Sequence, residues 1–200
     1  SPSDKKVIII DAGHRSEKMD GAVSNTGIEE ADLNLKIALK LQNLLEQSGA
    51  SVILTRSDDT SIYELDKKTL SQKKISDIKN RVKLANSSDS DIFVSIHINK
   101  IPQSQYHGWQ TFYNVKNKKG KKLAECIQSS LNDTIKIKND RLAKSISNVY
   151  IVDNIEIPLA LVECGFLSNS DELSLLVQDD YQDKLAYGIY AGIIEYFSSY

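Results

Sequence analysis

Apolar residues follow two rhythms along this chain. Val7-Ile8-Ile9-Ile10 is a continuous apolar run closed by Asp11-Ala12-Gly13, and it predicts a strand over 6–11 buried on both faces. Leu33, Ile37, Leu41 and Leu44 then recur at helical spacing, so a helix is predicted over 31–47, with Gly49 as its stop. The alternation repeats. Strands are predicted over 51–55, 91–96, 109–114, 148–152 and 159–162, and helices over 71–86, 120–131, 171–177 and 181–197. The helical stripes are Ile75/Ile78/Val82/Ala85, Leu123/Ile127/Leu131 and Leu185/Ile189/Ile193/Phe197. Strands alternating with helices, several of the strands apolar on both faces, predict an α/β domain whose sheet is covered by helices on both sides. In such sheets ligands collect outside the carboxyl ends of the strands.

Composition narrows the class. At 200 residues, with 40% hydrophobic and 26% charged residues, the chain has the makeup of one globular domain, which excludes disordered, collagenous and coiled-coil classes. Residues 1–4 read as a trimmed start and 5–200 as the domain. A net charge of −2 argues against a nucleic-acid partner, which would demand a basic surplus. The basic run Lys116–Lys122 reads as the solvated start of a helix. No apolar run approaches the ~20 residues of a membrane span. Cys126 and Cys164 form neither a metal motif nor a disulfide framework, and both fall at apolar positions as small core residues.

Chemistry concentrates at three strand ends: Asp11-Ala12-Gly13-His14, Ser95-Ile96-His97-Ile98-Asn99 and Val162-Glu163-Cys164-Gly165. A fourth contribution comes from Gly27-Ile28-Glu29-Glu30, where a carboxylate at the start of the first helix points back toward the strand ends. Two histidines and a carboxylate with one position open are the makeup of a hydrolytic zinc site, and a further glutamate beside them is suited to accept a proton from water. Each residue also has an ordinary reading. A histidine after a strand can be a cap, and Glu29 and Glu30 can be simple N-terminal helix charges. Glu163 resists that reading, because a carboxylate inside Pro158–Phe166 is costly to bury without a partner.

Val7–His14 followed by Gly27–Leu35, Leu54-Thr55-Arg56, Arg81 with Ala85-Asn86, Phe93–Asn99 and Leu161–Asn169 together resemble the zinc-dependent N-acetylmuramoyl-L-alanine amidases of the amidase-3 type. Gly108–Tyr113, Asn139–Lys144 and Val149-Tyr150 resemble the sporulation-specific, CwlD-type branch of that family. The resemblance implies a mixed, mostly parallel sheet of about six strands. It implies Zn2+ held by His14, Glu30 and His97, with Glu30 chosen over Glu29 by its distance from Asp32-Leu33-Asn34-Leu35, and Glu163 as the catalytic glutamate. The implied reaction cleaves the amide between N-acetylmuramic acid and L-alanine in peptidoglycan, in spore-cortex modification, outside the cytoplasm: in the wall or the intermembrane space of the forespore. Any original signal or anchor segment has then been removed. A protein activator is an implied partner. Asn99, His107, Tyr106 and Trp109 are candidate substrate contacts, Trp109 having strand core as its rival reading. Arg15-Ser16 stands where the family carries glycine after the first histidine; this cation is expected to weaken the metal or to touch substrate. The competing readings are a zinc peptidase acting on wall stem peptides and a wall-binding or regulatory module without strong catalysis.

Overall fold

The first apolar run becomes β1 (Val7–Ala12) and the first helical stripe α1 (Glu30–Gln47). In chain order there follow β2 (Ser51–Leu54), α2 (Leu70–Ser87), β3 (Ile92–Asn99), β4 (Gln110–Tyr113), α3 (Lys118–Thr134), β5 (Lys144–Ser145), α4 (Tyr150–Asn154), β6 (Leu159–Phe166), α5 (Ser170–Leu176) and α6 (Asp179–Ser198). The computed structural model describes residues 1–14, 21–58 and 69–200. The strands form one sheet of order β2-β1-β3-β6-β4-β5. The β1–β2, β1–β3, β3–β6 and β4–β5 pairs are parallel, and β4 runs antiparallel to β6, so the sheet is mixed but mostly parallel.

The period of two divides the strand side chains between two cores. Ile8, Ile10, Val94, Ile96 and Val162 pack with α1, α3 and α6 through Ile37, Leu41, Ile127, Leu131, Ile189 and Ile193. Ile9, Phe93 and Leu161 face the other way, against Val82 and Ala85 of α2 and Ile151 and Val152 of α4. α3 and α6 approach closely enough that a Cβ on Gly192 would lie 2.5 Å from Ile127 Cα. Cys126 and Cys164 are buried in the larger core.

One predicted element is corrected. The run over 148–152 is not a strand; most of it forms α4. Its β-branched and aromatic residues favour a strand by propensity, but tertiary contacts decide a segment this short. Ile151 and Val152 are both buried, as a helical turn allows, and the end carbonyls are taken by side chains: Asn114 Nδ2 donates to Val152 O and Asn86 Nδ2 to Asn154 O. One edge of the sheet is β5, which composition does not mark as a strand.

Candidate metal centre and active site

On the α2/α4 side of the sheet the apolar column turns polar toward the strand ends. Ile9 is followed by Asp11, Phe93 by Ser95 and His97, and Leu161 by Glu163. Register sets Asp11 beside Ser95 and His97 beside Glu163. A β-bulge follows between His97 and Asn99. β1 ends under the His97 ring, where a Cβ on Gly13 would lie 2.4 Å from His97 Cε1. That close approach requires glycine.

His14 comes next, at φ 60°, in the left-handed region that costs a side-chain-bearing residue about 1 kcal/mol or more. Two buried arginines hold the carbonyls around it. Arg56 donates to the carbonyls of Ala12, Gly13 and Ala31. Arg81 donates to the carbonyls of Ala12 and His14 and to Asp11 Oδ1, with Asp77 Oδ2 2.9 Å from its Nε.

α1 begins at Glu30, which places its carboxylate in the first turn beneath the strand ends. Oε2 accepts from the Ala22 amide at 2.9 Å, and Oε1 accepts from the Ile98 amide at 3.0 Å and from Asn34 Nδ2 at 3.3 Å. Oε1 also lies 3.5 Å from His14 Nε2 and 3.4 Å from His97 Nδ1. The ligand atoms of His14, Glu30 and His97 all fall within 4.8 Å of one another. Donors ~2.1 Å from a tetrahedral zinc are themselves ~3.4 Å apart. The two histidine–glutamate separations therefore fit a zinc ion, as does the donor set of two imidazoles and one carboxylate.

The electrostatics differ sharply between the two glutamates. Burial works against an ionised Glu30, yet the His97 and His14 rings and the Ala22 amide outweigh it and lower its pKa to about 2. Glu163 has no such escort: burial raises its pKa to about 7, the His97 ring opposing and the Glu30 charge reinforcing. Its Oε2 is buried and has no hydrogen-bond partner among the described residues. His97 is held above the usual imidazole range: burial lowers it, but Glu30, Glu163 and Asp11 more than compensate. Beside the cluster lies a cavity of about 140 Å3, lined by His14, His97, Ile78, Tyr150, Ile151 and Leu161 among others.

The structure thus brings together His14, Glu30, His97 and Glu163. Asn99 lies two residues beyond His97, half-buried, its Oδ1 accepting from the Lys100 amide. His107 and Tyr106 line a different groove with Arg141 and Asn139, one that includes none of the four. Trp109 is not a surface platform: it is 1% exposed and its indole donates to Asn132 Oδ1, which is the strand-core reading. Arg15 lies outside the described residues. Sequence reading missed Asp11, Ser95 and Asn34 as supports of the site. For Asp11 and Ser95 the available signal was a polar residue two positions after a buried apolar one on the same strand face; Asn34, in a helix, carried no such signal.

Similarity to known proteins accords with this geometry. A family model described as N-acetylmuramoyl-L-alanine amidase matches residues 8–195. The germination-specific N-acetylmuramoyl-L-alanine amidase of Bacillus subtilis is 39% identical over 197 residues, 98% of this chain and 82% of that protein. The CwlD amidase of Clostridioides difficile, solved in complex with the GerS lipoprotein, superposes with a TM-score of 0.94 at 43% identity, covering 98% of this chain and 100% of that one. The catalytic domain of the amidase CwlV from Bacillus (Paenibacillus) polymyxa superposes at 0.81 with 32% identity, covering 96% and 98%. With a family match over nearly its whole length and two histidines and two glutamates converging at the strand ends, the chain belongs to the N-acetylmuramoyl-L-alanine amidase family.

Proposed function

We propose that the chain is a zinc-dependent amidase that cleaves the bond between N-acetylmuramic acid and L-alanine in spore-cortex peptidoglycan, outside the cytoplasm. The zinc reading is carried by the spacing of His14 Nε2, Glu30 Oε1 and His97 Nδ1, which matches the edge of a tetrahedral zinc site. The cortex assignment rests on similarity to a germination-specific relative. Similarity to an amidase captured with a lipoprotein supports a protein partner of that kind for this chain.

His14, Glu30 and His97 would hold the ion, and the chemistry zinc supplies is Lewis-acid polarisation of the amide carbonyl and acidification of water. The rest falls to the protein. Glu163 accepts the proton of the attacking water at its unpartnered Oε2 and returns it to the amide nitrogen, which leaves only as a protonated amine. Burial, which in the metal-free protein raises the Glu163 carboxyl above the ordinary carboxylate range, favours its taking up a proton. The buried ion pairs of Arg81 with Asp11 and Asp77 tie α2 to the end of β1 beside the site.

Digestion of purified peptidoglycan tests the reading. Glycan strands with unsubstituted lactyl groups and free stem peptides beginning with L-alanine are the expected products. Chelation should stop their release, and added zinc should restore it. Peptide fragments cut within the stem would instead identify a peptidase.

A further inference from the structure

We propose that Asp11 and Ser95 are positioning residues that fix the proton of His97 on Nε2, leaving Nδ1 as the bare lone pair for the metal. The inference rests on the His14–Glu30–His97 cluster being a metal site and deepens that reading.

Asp11 Oδ1 accepts from Thr55 Oγ1 at 2.7 Å and from Arg81 Nη1 at 2.7 Å. Asp11 Oδ2 accepts from Ser95 Oγ at 2.6 Å. A carboxylate surrounded by donors on both oxygens, one of them a guanidinium, carries no proton and can only accept. The single hydroxyl hydrogen of Ser95 is therefore committed to Asp11. Ser95 Oγ also lies 2.8 Å from His97 Nε2. With its hydrogen spent, the hydroxyl meets that nitrogen only as an acceptor, so Nε2 must carry the hydrogen. A neutral imidazole has one ring hydrogen, and its other nitrogen is then bare. That nitrogen, Nδ1, faces Glu30 Oε1 at 3.4 Å, a rival acceptor for the ring hydrogen but a longer contact than the 2.8 Å from Nε2 to Ser95 Oγ.

The chain of contacts Arg81–Asp11–Ser95–His97 is enclosed. Arg81, Asp11 and Ser95 are 3%, 1% and 0% exposed, so water does not compete for the same hydrogens. It also runs across the sheet: Asp11 and Ser95 are neighbours in the β1–β3 ladder, and Ser95 and His97 stand on one face of β3. The sheet register itself orients the ligand. Without the relay, Nδ1 could carry the hydrogen and would face a cation with an N–H instead of a lone pair. Second-sphere partners of metal-bound histidines are worth 10–100-fold in metal affinity.

The relay makes a prediction of sign for Asp11→Asn. The amide oxygen must stay with Thr55 and Arg81, so its NH2 group faces Ser95. Ser95 Oγ then accepts from the amide and is free to donate to Nε2, which moves the ring hydrogen to Nδ1. Ser95→Ala removes the selection altogether.

Nitrogen-15 spectra of the histidine rings read the tautomer directly. In metal-free wild-type protein, in the alkaline range where the ring is neutral, His97 is expected as the Nε2–H form. Asp11→Asn is expected to shift it toward Nδ1–H and Ser95→Ala to mix the two. Zinc titration by calorimetry should find affinity lowered about 10–100-fold in both variants, with unchanged circular dichroism. An Nδ1–H tautomer in the wild-type protein overturns the proposal, even if a variant fails to fold. So does wild-type zinc affinity in a folded Ser95→Ala protein. Failure of wild-type protein to bind zinc overturns the metal-site reading instead, and the metal-free spectra still decide the tautomer.

Discussion

Glu163 and Glu30 are the same residue type within one cluster and opposite in charge preference. Glu30 receives two backbone amides and an asparagine, whereas the Oε2 of Glu163 receives nothing from the described residues. The acid–base role proposed for Glu163 predicts that Glu163→Gln keeps zinc and fold and lowers turnover at least ~100-fold, measured as amide cleavage on peptidoglycan. Turnover near wild type would remove Glu163 from the mechanism. The same carboxyl leaves a mark on stability. Unfolded, it releases its proton around pH 4.5, but in the folded metal-free protein only around 7, so folding takes up a proton between the two. Its contribution is full below 4.5 and is lost as pH rises toward 7, by at most about 3 kcal/mol. Urea unfolding of metal-free protein across that window should therefore decline less steeply for Glu163→Gln than for wild type. Parallel curves would mean that Glu163 is ionised throughout.

At the scale of elements, β1 and α2 together hold the loop that carries His14. Gly13 admits the His97 ring and Arg81 reaches from α2 to the last carbonyls of the turn. Gly13→Ala should cost about 1–3 kcal/mol of stability from overpacking and displace the ring, measured by thermal unfolding with a parallel zinc titration. A fully stable, zinc-tight variant would show that the ring has room to move. Arg81→Met leaves Asp11 buried without its cation and should cost about 3–5 kcal/mol in urea unfolding. A cost under about 1 kcal/mol would mean that water or Thr55 compensates. α4 carries a different lesson. Its residues look like a strand because Val149, Tyr150, Ile151 and Val152 all favour one, and nothing local contradicts them. In the helix, Asn86 and Asn114, far away in the chain, donate to its end carbonyls.

For the whole molecule, two extensive apolar cores include none of His14, Glu30 and His97, the residues that could hold a metal ion. His97→Ala should therefore abolish stoichiometric zinc, measured by metal analysis, and leave a cooperatively folding chain. Unfolding of the variant would mark the site as a folding element. Outside residues 144–154, the apolar rhythm of the chain by itself determined the order of strands and helices, the two-sided covering of the sheet and the strand ends where His14, His97 and Glu163 lie. Periodicity is a local property, so it survives without coordinates. Only the tertiary structure decided that Trp109 is interior, that one edge strand is Lys144–Ser145, and that Asp11 and Ser95 make a chain of contacts to His97. Each of these depends on which strand lies beside which, and in what register. Pairing energies between distant segments settle that, and the spacing of residues along one segment does not encode it.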